Sequence, residues 1–130
     1  RIPHEQIKDY ISQADISSMF LSGSLPYHRG VGVANLETMA YGLPTIVDIS
    51  DDFFGSKFPL VDGENCVKLE RRDPQLFASK IIELFEKPDL RQKIGTNGKT
   101  FVHKTMLWEN IIEELENVYQ GLIENNKKAQ

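Results

Sequence analysis

Apolar residues recur every three or four positions in four segments of the chain, a spacing that places them on one face of a helix. Two of these segments begin at Pro74 and Pro88, in the first turn, where a helix tolerates proline. The last segment begins at about Trp108 and is predicted to end at Glu124, before a frayed polar tail over residues 125–130. The apolar residues that define the four helices are Ile7, Tyr10, Ile11 and Ala14; Leu76, Phe77, Ile81, Leu84 and Phe85; Leu90, Ile94, Phe101 and Val102; and Ile111, Leu115, Val118 and Leu122.

Short apolar runs between the helical segments predict three strands, over residues 15–21, 45–47 and 66–69. A fifth helix is expected between the first two runs. It should end at Tyr41, because Gly42 supplies a left-handed stop and Pro44 prevents continuation. Helices that alternate with short apolar strands indicate a three-layer α/β fold, in which helices cover both faces of a parallel sheet of few strands. Such sheets usually have more than three strands. We therefore interpret the chain as a single-domain fragment whose missing strands lie upstream.

The composition narrows the class of protein. A net charge of −4 is unlike the basic face of a nucleic-acid binder, so no nucleic acid is expected as a partner. The single cysteine, Cys66, excludes an intrachain disulfide and favours a reducing, cytoplasmic location, with Cys66 itself a small buried apolar residue. No apolar run is long enough to cross a bilayer, so any membrane association is expected from parts outside this chain. No Cys/His cluster has metal-ligand spacing, which predicts a site without metal.

The segment that carries the candidate chemistry follows the first predicted strand, where Gly30 and Gly32 precede a helix. Glycine lets a ligand approach the backbone closely, and the free N–H groups and dipole at a helix start favour a phosphate. Glu37 follows Gly32 by roughly 7–8 Å along the helix axis, and its carboxylate can accept hydrogen bonds from two adjacent ribose hydroxyls. With Val33 and Ala40 as neighbours, Glu37 is expected beside the apolar face. A Gly-x-Gly before a helix is common, however, and a lone glutamate is more often a surface acid.

A larger pattern extends this segment in both directions. The residues that share its order and spacing are Ala14-Asp15 at a strand start; Gly30, Gly32, Glu37, Met39, Ala40, Gly42 and Pro44; the turn Asp62-Gly63-Glu64-Asn65; Leu90-Arg91; and Trp108-Glu109. On these residues nearly the whole chain resembles the second half of the C-terminal domain of retaining GT-B glycosyltransferases, the group 1 family.

The resemblance implies a Rossmann-like GT-B domain of a carbohydrate-biosynthesis enzyme. Such an enzyme transfers a sugar from a nucleoside diphosphate sugar to an acceptor, here a polysaccharide, lipid or protein glycan. It implies that Glu37 holds the donor ribose, and that Gly30, Val31 and Gly32 lie along the diphosphate and the sugar. Leu36 and Thr38, on either side of Glu37, are predicted to be packing residues. No cofactor is implied beyond the donor substrate.

The resemblance also implies what the chain lacks. The acceptor site belongs largely to an N-terminal domain, and the basic residues that clasp the diphosphate lie earlier in the same domain as this chain. We therefore expect no catalytic residue here, no turnover by this chain alone, and the N-terminal domain as a partner. In the family the last helix crosses back to that domain. The apolar stripe of the last helix is nevertheless expected to pack within the chain, with partial exposure as the alternative.

One position departs from the family pattern. The first glutamate of the motif, which contacts the transferred sugar, would fall at Arg29. Arg29 reverses the charge, so it either pairs with a donor phosphate or an acidic sugar, or marks a weakened or inactive site. His28, Ser22 and Ser24 are further donor-binding candidates, although each also fits an ordinary loop. Two alternative functions stay open, a non-catalytic glycosyltransferase-like binding domain and a nucleotide-sugar epimerase.

Overall fold

The computed structural model describes residues 2–18, 32–49, 59–69 and 73–128. Within these ranges each helix of the sequence prediction is present. The helices are α1 (Ile7–Ile11, preceded by a 3₁₀ turn at His4–Gln6), α2 (Val33–Ala40), α3 (Pro74–Glu86), α4 (Pro88–Thr105) and α5 (Trp108–Lys128).

Three strands form one parallel sheet, β1 (Ser17–Ser18), β2 (Thr45–Val47) and β3 (Val67–Lys68), in the spatial order β1-β2-β3. Ser17 pairs with Thr45, and Ile46 pairs with Val67. The helix α2 carries the chain from β1 to the neighbouring parallel strand β2, as a crossover connection requires. The predicted parallel α/β sheet is therefore confirmed.

Local chemistry explains where the helices begin and end. The side chain of Asp73 caps α3, because its Oδ1 accepts hydrogen bonds from the N–H groups of Gln75 at 2.9 Å and Leu76 at 3.2 Å. Gly42 ends α2 with a φ of +86°, which confirms the predicted left-handed stop. Its N–H donates to the carbonyl of Met39 at 2.8 Å. A side-chain cap thus fixes the start of α3, and the backbone freedom of glycine fixes the end of α2.

The core lies on both faces of the sheet. Neighbouring residues of β2 point to opposite faces, so Ile46 and Val47 belong to different clusters. On one face α2 and the C-terminal half of α4 cover Val47, and on the other face α3 and the first half of α4 cover Ile46. This arrangement confirms the predicted three layers. The buried residues are Met39, Val47, Ile49, Leu60, Cys66, Phe101 and Val102 on the first face, and Ile46, Val67, Leu69, Leu84 and Ile94 on the second.

Cys66 is fully buried beside β3, as the sequence predicts. Burial raises the pKa of the Cys66 thiol to about 12, with a smaller opposing effect from Lys68. The thiol therefore stays protonated at neutral pH, and it behaves as an apolar core residue rather than a nucleophile.

Several residues predicted to face inward do not. Phe85 is 55% exposed, because it follows the buried Leu84 by about 100° around α3. The Arg91 guanidinium lies over its ring at 5.9 Å from the centroid. In the first helix only Ile11 is buried, since α1 ends there and Tyr10 lies on the outer side.

The apolar stripe of α5 is the largest departure from the expected packing. Every residue from Ile111 to Lys127 is exposed, including Leu115 at 49%. The prediction that this stripe packs within the chain is therefore wrong. The helix also extends past the predicted end at Glu124, to Lys128. No strand or helix in the described ranges buries this face, since each of these residues stays exposed.

Two glycines let α4 approach the sheet closely. A Cβ at Gly95 would overlap the carbonyl oxygen of Gly42, in the turn that ends α2. A Cβ at Gly98 would lie 2.9 Å from the carbonyl oxygen of Asn65 and 3.4 Å from Met39 Cε. The backbone of α4 therefore lies directly against the turns that precede β2 and β3, and it fixes the end of α2.

We expect Gly95→Ala to lower the free energy of unfolding by roughly 1–3 kcal/mol, because the added methyl group collides with backbone that cannot yield cheaply. Alanine would otherwise stabilise a helix interior by up to about 1 kcal/mol. Gly121→Ala provides the control, since a Cβ at Gly121 meets nothing within 4 Å. Urea denaturation should show a loss for Gly95→Ala and no loss for Gly121→Ala. Equal stability of the two variants would contradict the close contact.

Candidate functional site

The start of α2 presents unpaired backbone donors. Gly32 is the N-cap residue, with φ −69° and ψ 159°, and its carbonyl accepts from the N–H groups of Asn35 at 2.9 Å and Leu36 at 3.2 Å. The N–H groups of Val33 and Ala34 have no acceptor among the described residues. No side chain of the described residues caps this end, and the first turn contains no acid. Because the helix dipole adds positive potential here, the site suits an anion.

Glu37 lies in the same helix, one turn beyond these donors. The regular helix from Val33 onward places Glu37 about 6 Å further along the axis, as predicted from the spacing. Its side chain is half-buried, and no described residue forms a hydrogen bond or ion pair with the carboxylate. The carboxylate is therefore available to a ligand that spans the distance from the helix start.

The direction of Glu37 differs from the expectation in one respect. Residues rotate by about 100° each around a helix, so Glu37 lies on the opposite side from the fully buried Met39. Its neighbours on that side are Val33, which is 82% exposed, and Tyr41, which is 51% exposed. Ala40, the other predicted neighbour of Glu37, packs against the core, so Glu37 borders the apolar face on that side as predicted. The side toward Val33 faces solvent instead.

The core and a group of hydroxyls hold α2 in place. Met39 is buried between β2 and α4, and Leu36 and Ala40 pack against the same cluster, as predicted for Leu36. Thr38 Oγ1 lies 2.8 Å from Ser17 Oγ in β1 and 3.4 Å from Thr45 Oγ1 in β2. The predicted packing role of Thr38 thus takes the form of polar contacts with both neighbouring strands.

Two buried polar residues near this site escaped the sequence analysis. Asn35, in the first turn of α2, is 2% exposed, and Asp48, directly after β2, is 8% exposed and has interaction partners. Asp48 directly follows a β-branched strand, and that position marks the carboxyl edge of a parallel sheet, where ligands bind. The burial of Asn35 follows from its position one turn before Met39 on the same face of α2.

Of the predicted donor-binding residues, the structure places Gly32 and Glu37 together on α2. The others lie outside the described residues and stay predictions. They are Ser22, Ser24, His28, Arg29, Gly30 and Val31.

The turn before β3 is a separate polar region, and its groups bind one another. Asn65 Oδ1 accepts from the N–H of Val61 at 2.7 Å, and its Nδ2 donates to the carbonyl of Pro59 at 3.2 Å. Asn97 on α4 donates to the carbonyl of Glu64 at 3.0 Å. The predicted turn Asp62-Gly63-Glu64-Asn65 is confirmed by the φ of +71° at Gly63. Its polar groups serve the fold rather than a ligand.

The described residues form neither a metal-binding cluster nor a membrane-spanning helix. In residues 2–18, 32–49, 59–69 and 73–128, no three side chains of His, Cys, Asp or Glu are grouped to hold a metal ion. A donor site without metal thus stays a prediction. None of the helices in these ranges combines the length and the hydropathy needed to cross a membrane.

Comparison with known proteins identifies relatives along most of the chain. It is 29% identical over 124 residues to the capsular polysaccharide biosynthesis glycosyltransferase CapM of Staphylococcus aureus, which covers 95% of this chain and 31% of that protein. It is 32% identical over 94 residues to an uncharacterized glycosyltransferase of Methanocaldococcus jannaschii, covering 72% of this chain and 26% of that protein. The chain therefore spans about a quarter to a third of the length of these curated relatives.

A solved structure and a family model agree with these relatives. The sucrose-phosphate synthase from Thermosynechococcus elongatus superposes with a TM-score of 0.73 at 23% identity, over 96% of this chain and 29% of that one. This likeness confirms the predicted GT-B type of α/β fold. The family model described as "Glycosyl transferases group 1" matches residues 1–101. The site described above, a half-buried carboxylate one turn after a helix start whose first N–H groups have no acceptor among the described residues, lies within the matched range. By these matches, the chain belongs to the group 1 glycosyl transferases.

Proposed function

We propose that this chain is the donor-binding part of a glycosyltransferase, which transfers a sugar from a nucleoside diphosphate sugar to an acceptor. Membership of the group 1 family supports glycosyl transfer as the reaction class. The single observation that carries the donor proposal is the arrangement on α2. Free N–H groups at Val33 and Ala34 precede an unpaired carboxylate at Glu37 on one rigid helix.

The start of α2 would hold the diphosphate. The N–H groups of Val33 and Ala34 donate hydrogen bonds to phosphate oxygens, and the helix dipole stabilises their negative charge. When the sugar leaves, that charge increases on the diphosphate, so the same donors stabilise the transition state more than the bound substrate. This contribution requires neither a metal nor a cofactor.

Glu37 would hold the ribose. A carboxylate accepts two hydrogen bonds, which suits the adjacent 2′ and 3′ hydroxyls of ribose. The distance of about 6 Å from the helix start matches a sugar attached to the first phosphate. Its position on the outer side of α2 leaves the carboxylate open to a ligand that lies over the helix.

A non-catalytic binding domain is the second candidate, and Arg29 favours it. The resemblance places Arg29 where the family has the glutamate that contacts the transferred sugar. A domain with this change would still bind a nucleoside diphosphate through α2, yet would not transfer the sugar. Turnover of any nucleoside diphosphate sugar by the full-length protein would exclude this candidate.

We expect Glu37→Ala to weaken binding of the preferred nucleoside diphosphate by about 10- to 100-fold, because two hydrogen bonds to a charged acceptor are lost. The preferred base is first found by titrating UDP, ADP, GDP and CDP in a calorimeter. The 2′-deoxy analogue then tests the assigned contact. Wild type should bind the analogue more weakly than the ribonucleotide, and Glu37→Ala should bind both equally.

Glu86→Ala is the matched control, since Glu86 is an exposed acid at the end of α3, on a different element of the fold. It should retain the wild-type affinity and the preference for ribose. Unchanged binding by Glu37→Ala would remove its role as the ribose ligand.

The exposed face of α5 supports a second part of the proposal, namely that this helix packs against an N-terminal domain of the same protein. Its apolar residues form one broad stripe, while acids such as Glu109, Glu113 and Glu116 occupy the rest of the surface. A stripe of this width is typical of a helix that faces a protein core. The acceptor site would then lie between that domain and α2. The exposed apolar residues of α5 are Trp108, Ile111, Ile112, Leu115, Val118, Tyr119, Leu122 and Ile123.

We further propose that the cytoplasm is the site of action and that this chain alone does not catalyse transfer.

We expect Leu115→Asp in the full-length protein to increase amide hydrogen exchange along α5 by about 10- to 100-fold, because it removes a buried leucine from the interdomain contact. Gln120→Asp introduces the same side chain on the polar face and should leave exchange unchanged. In the isolated chain the two variants should behave alike, since both positions are exposed there. Wild-type exchange in full-length Leu115→Asp would contradict the docking of α5.

A further inference from the structure

We propose that Thr38 is a positioning residue for donor binding. Its hydroxyl connects α2 to β1 and β2 at once, and it thereby fixes the direction in which the adjacent Glu37 points. This inference rests on the proposed donor site, and it concerns a residue that touches neither the diphosphate nor the ribose.

The geometry joins three hydroxyls from three elements. Ser17 and Thr45 are directly paired across the parallel strands β1 and β2. Thr38 lies above this pair, with its Oγ1 at 2.8 Å from Ser17 Oγ and 3.4 Å from Thr45 Oγ1. Residues paired across a sheet are close neighbours, so one hydroxyl on the helix reaches both of them.

The hydrogen atoms can be assigned consistently. Thr45 Oγ1 has one hydrogen, which it can donate either to the carbonyl of Leu43 at 3.1 Å or to Thr38 Oγ1 at 3.4 Å. The hydroxyl of Thr38 can donate to Ser17 Oγ, or to the carbonyl of Asn35 at 3.0 Å. When it donates to Ser17, its oxygen can accept the hydrogen of Thr45, and the three hydroxyls are then joined. In that arrangement Thr38 bonds α2 to both β1 and β2.

These contacts restrict the helix in a way that its apolar contacts do not. Leu36, Met39 and Ala40 hold α2 against the core through burial, which has no preferred direction. A hydrogen bond instead weakens steeply when its distance or angle changes. Thr38 sits on the flank of the buried face, so its bonds oppose rotation of α2 about its own axis.

A small rotation would matter for Glu37. Side chains on a helix extend to about 5–6 Å from the axis, so a rotation of roughly 20° moves the carboxylate by about 2 Å. Hydrogen bonds tolerate only a few tenths of an ångström around their preferred length. Loss of the hydroxyl contacts should therefore reduce the ability of Glu37 to select ribose, even when the core remains packed.

The test uses the full-length protein and its preferred nucleoside diphosphate, with the 2′-deoxy analogue as the second ligand. Thr38→Val keeps the shape of the side chain and removes the hydroxyl, whereas Thr38→Ser keeps the hydroxyl. We expect Thr38→Val to weaken ribonucleotide binding by about 3- to 10-fold and to reduce the preference for ribose by a similar factor. Thr38→Ser should restore most of that preference.

Two further variants make the result specific. Ser17→Ala removes the partner on β1, and it should reproduce the loss without adding to it in the double variant, since both changes break one contact. It also provides an independent readout should Thr38→Val fold poorly. Thr100→Val is the matched control, because Thr100 likewise bonds a carbonyl of its own helix, that of Thr96 in α4, yet lies away from α2. It should leave both affinities unchanged.

The outcomes separate this inference from the function on which it rests. An unchanged ribose preference in both Thr38→Val and Ser17→Ala, with wild type selecting ribose, would overturn the positioning role and leave the donor site intact. Wild type that binds no nucleoside diphosphate, or binds the ribose and deoxyribose forms equally, would overturn the proposed function and this inference together.

Discussion

The backbone of α4 lies so close to the turn that ends α2 that Gly95 has no room for a side chain, and Gly98 is equally close to the carbonyl of Asn65. This contact fixes the end of α2, while Met39 and the hydroxyl of Thr38 fix its inner face. The helix is thereby held at its end and along its length before any ligand binds. A preorganised helix is what the proposed donor site requires, because donors that need no rearrangement stabilise charge most effectively.

The parts of the fold that follow from local chemistry could be predicted from the sequence. Pro74, Pro88 and Gly42 restrict the backbone at single positions, and the helices begin or end there as expected. The apolar run before Asp48 predicts a buried strand for the same local reason. The α/β class then follows from the order of these elements.

Other features depend on contacts between distant segments, and the sequence does not show those directly. The need for glycine at Gly95 depends on the turn at Gly42, which lies far away along the chain. Gly95 and Gly98 stand three positions apart in α4, and this spacing is a signal of close packing that the sequence prediction did not use. The side of α5 that is buried depends on which other surfaces are present, so spacing alone predicted an inward face that the chain does not cover. For the site, spacing predicted the distance from the helix start to Glu37 and its position beside the apolar face, but not the exposure of Val33 one turn earlier.

The central claim is that the first amides of α2 receive the diphosphate of the donor. Nuclear magnetic resonance of the ¹⁵N-labelled protein tests it directly, by following the N–H signals of Val33 and Ala34 during titration with nucleoside diphosphate and, separately, with the nucleoside alone. The diphosphate should shift these two signals strongly, because hydrogen bonds form to its oxygens, and the nucleoside should shift them little. Signals that stay in place at saturating nucleoside diphosphate would contradict the account.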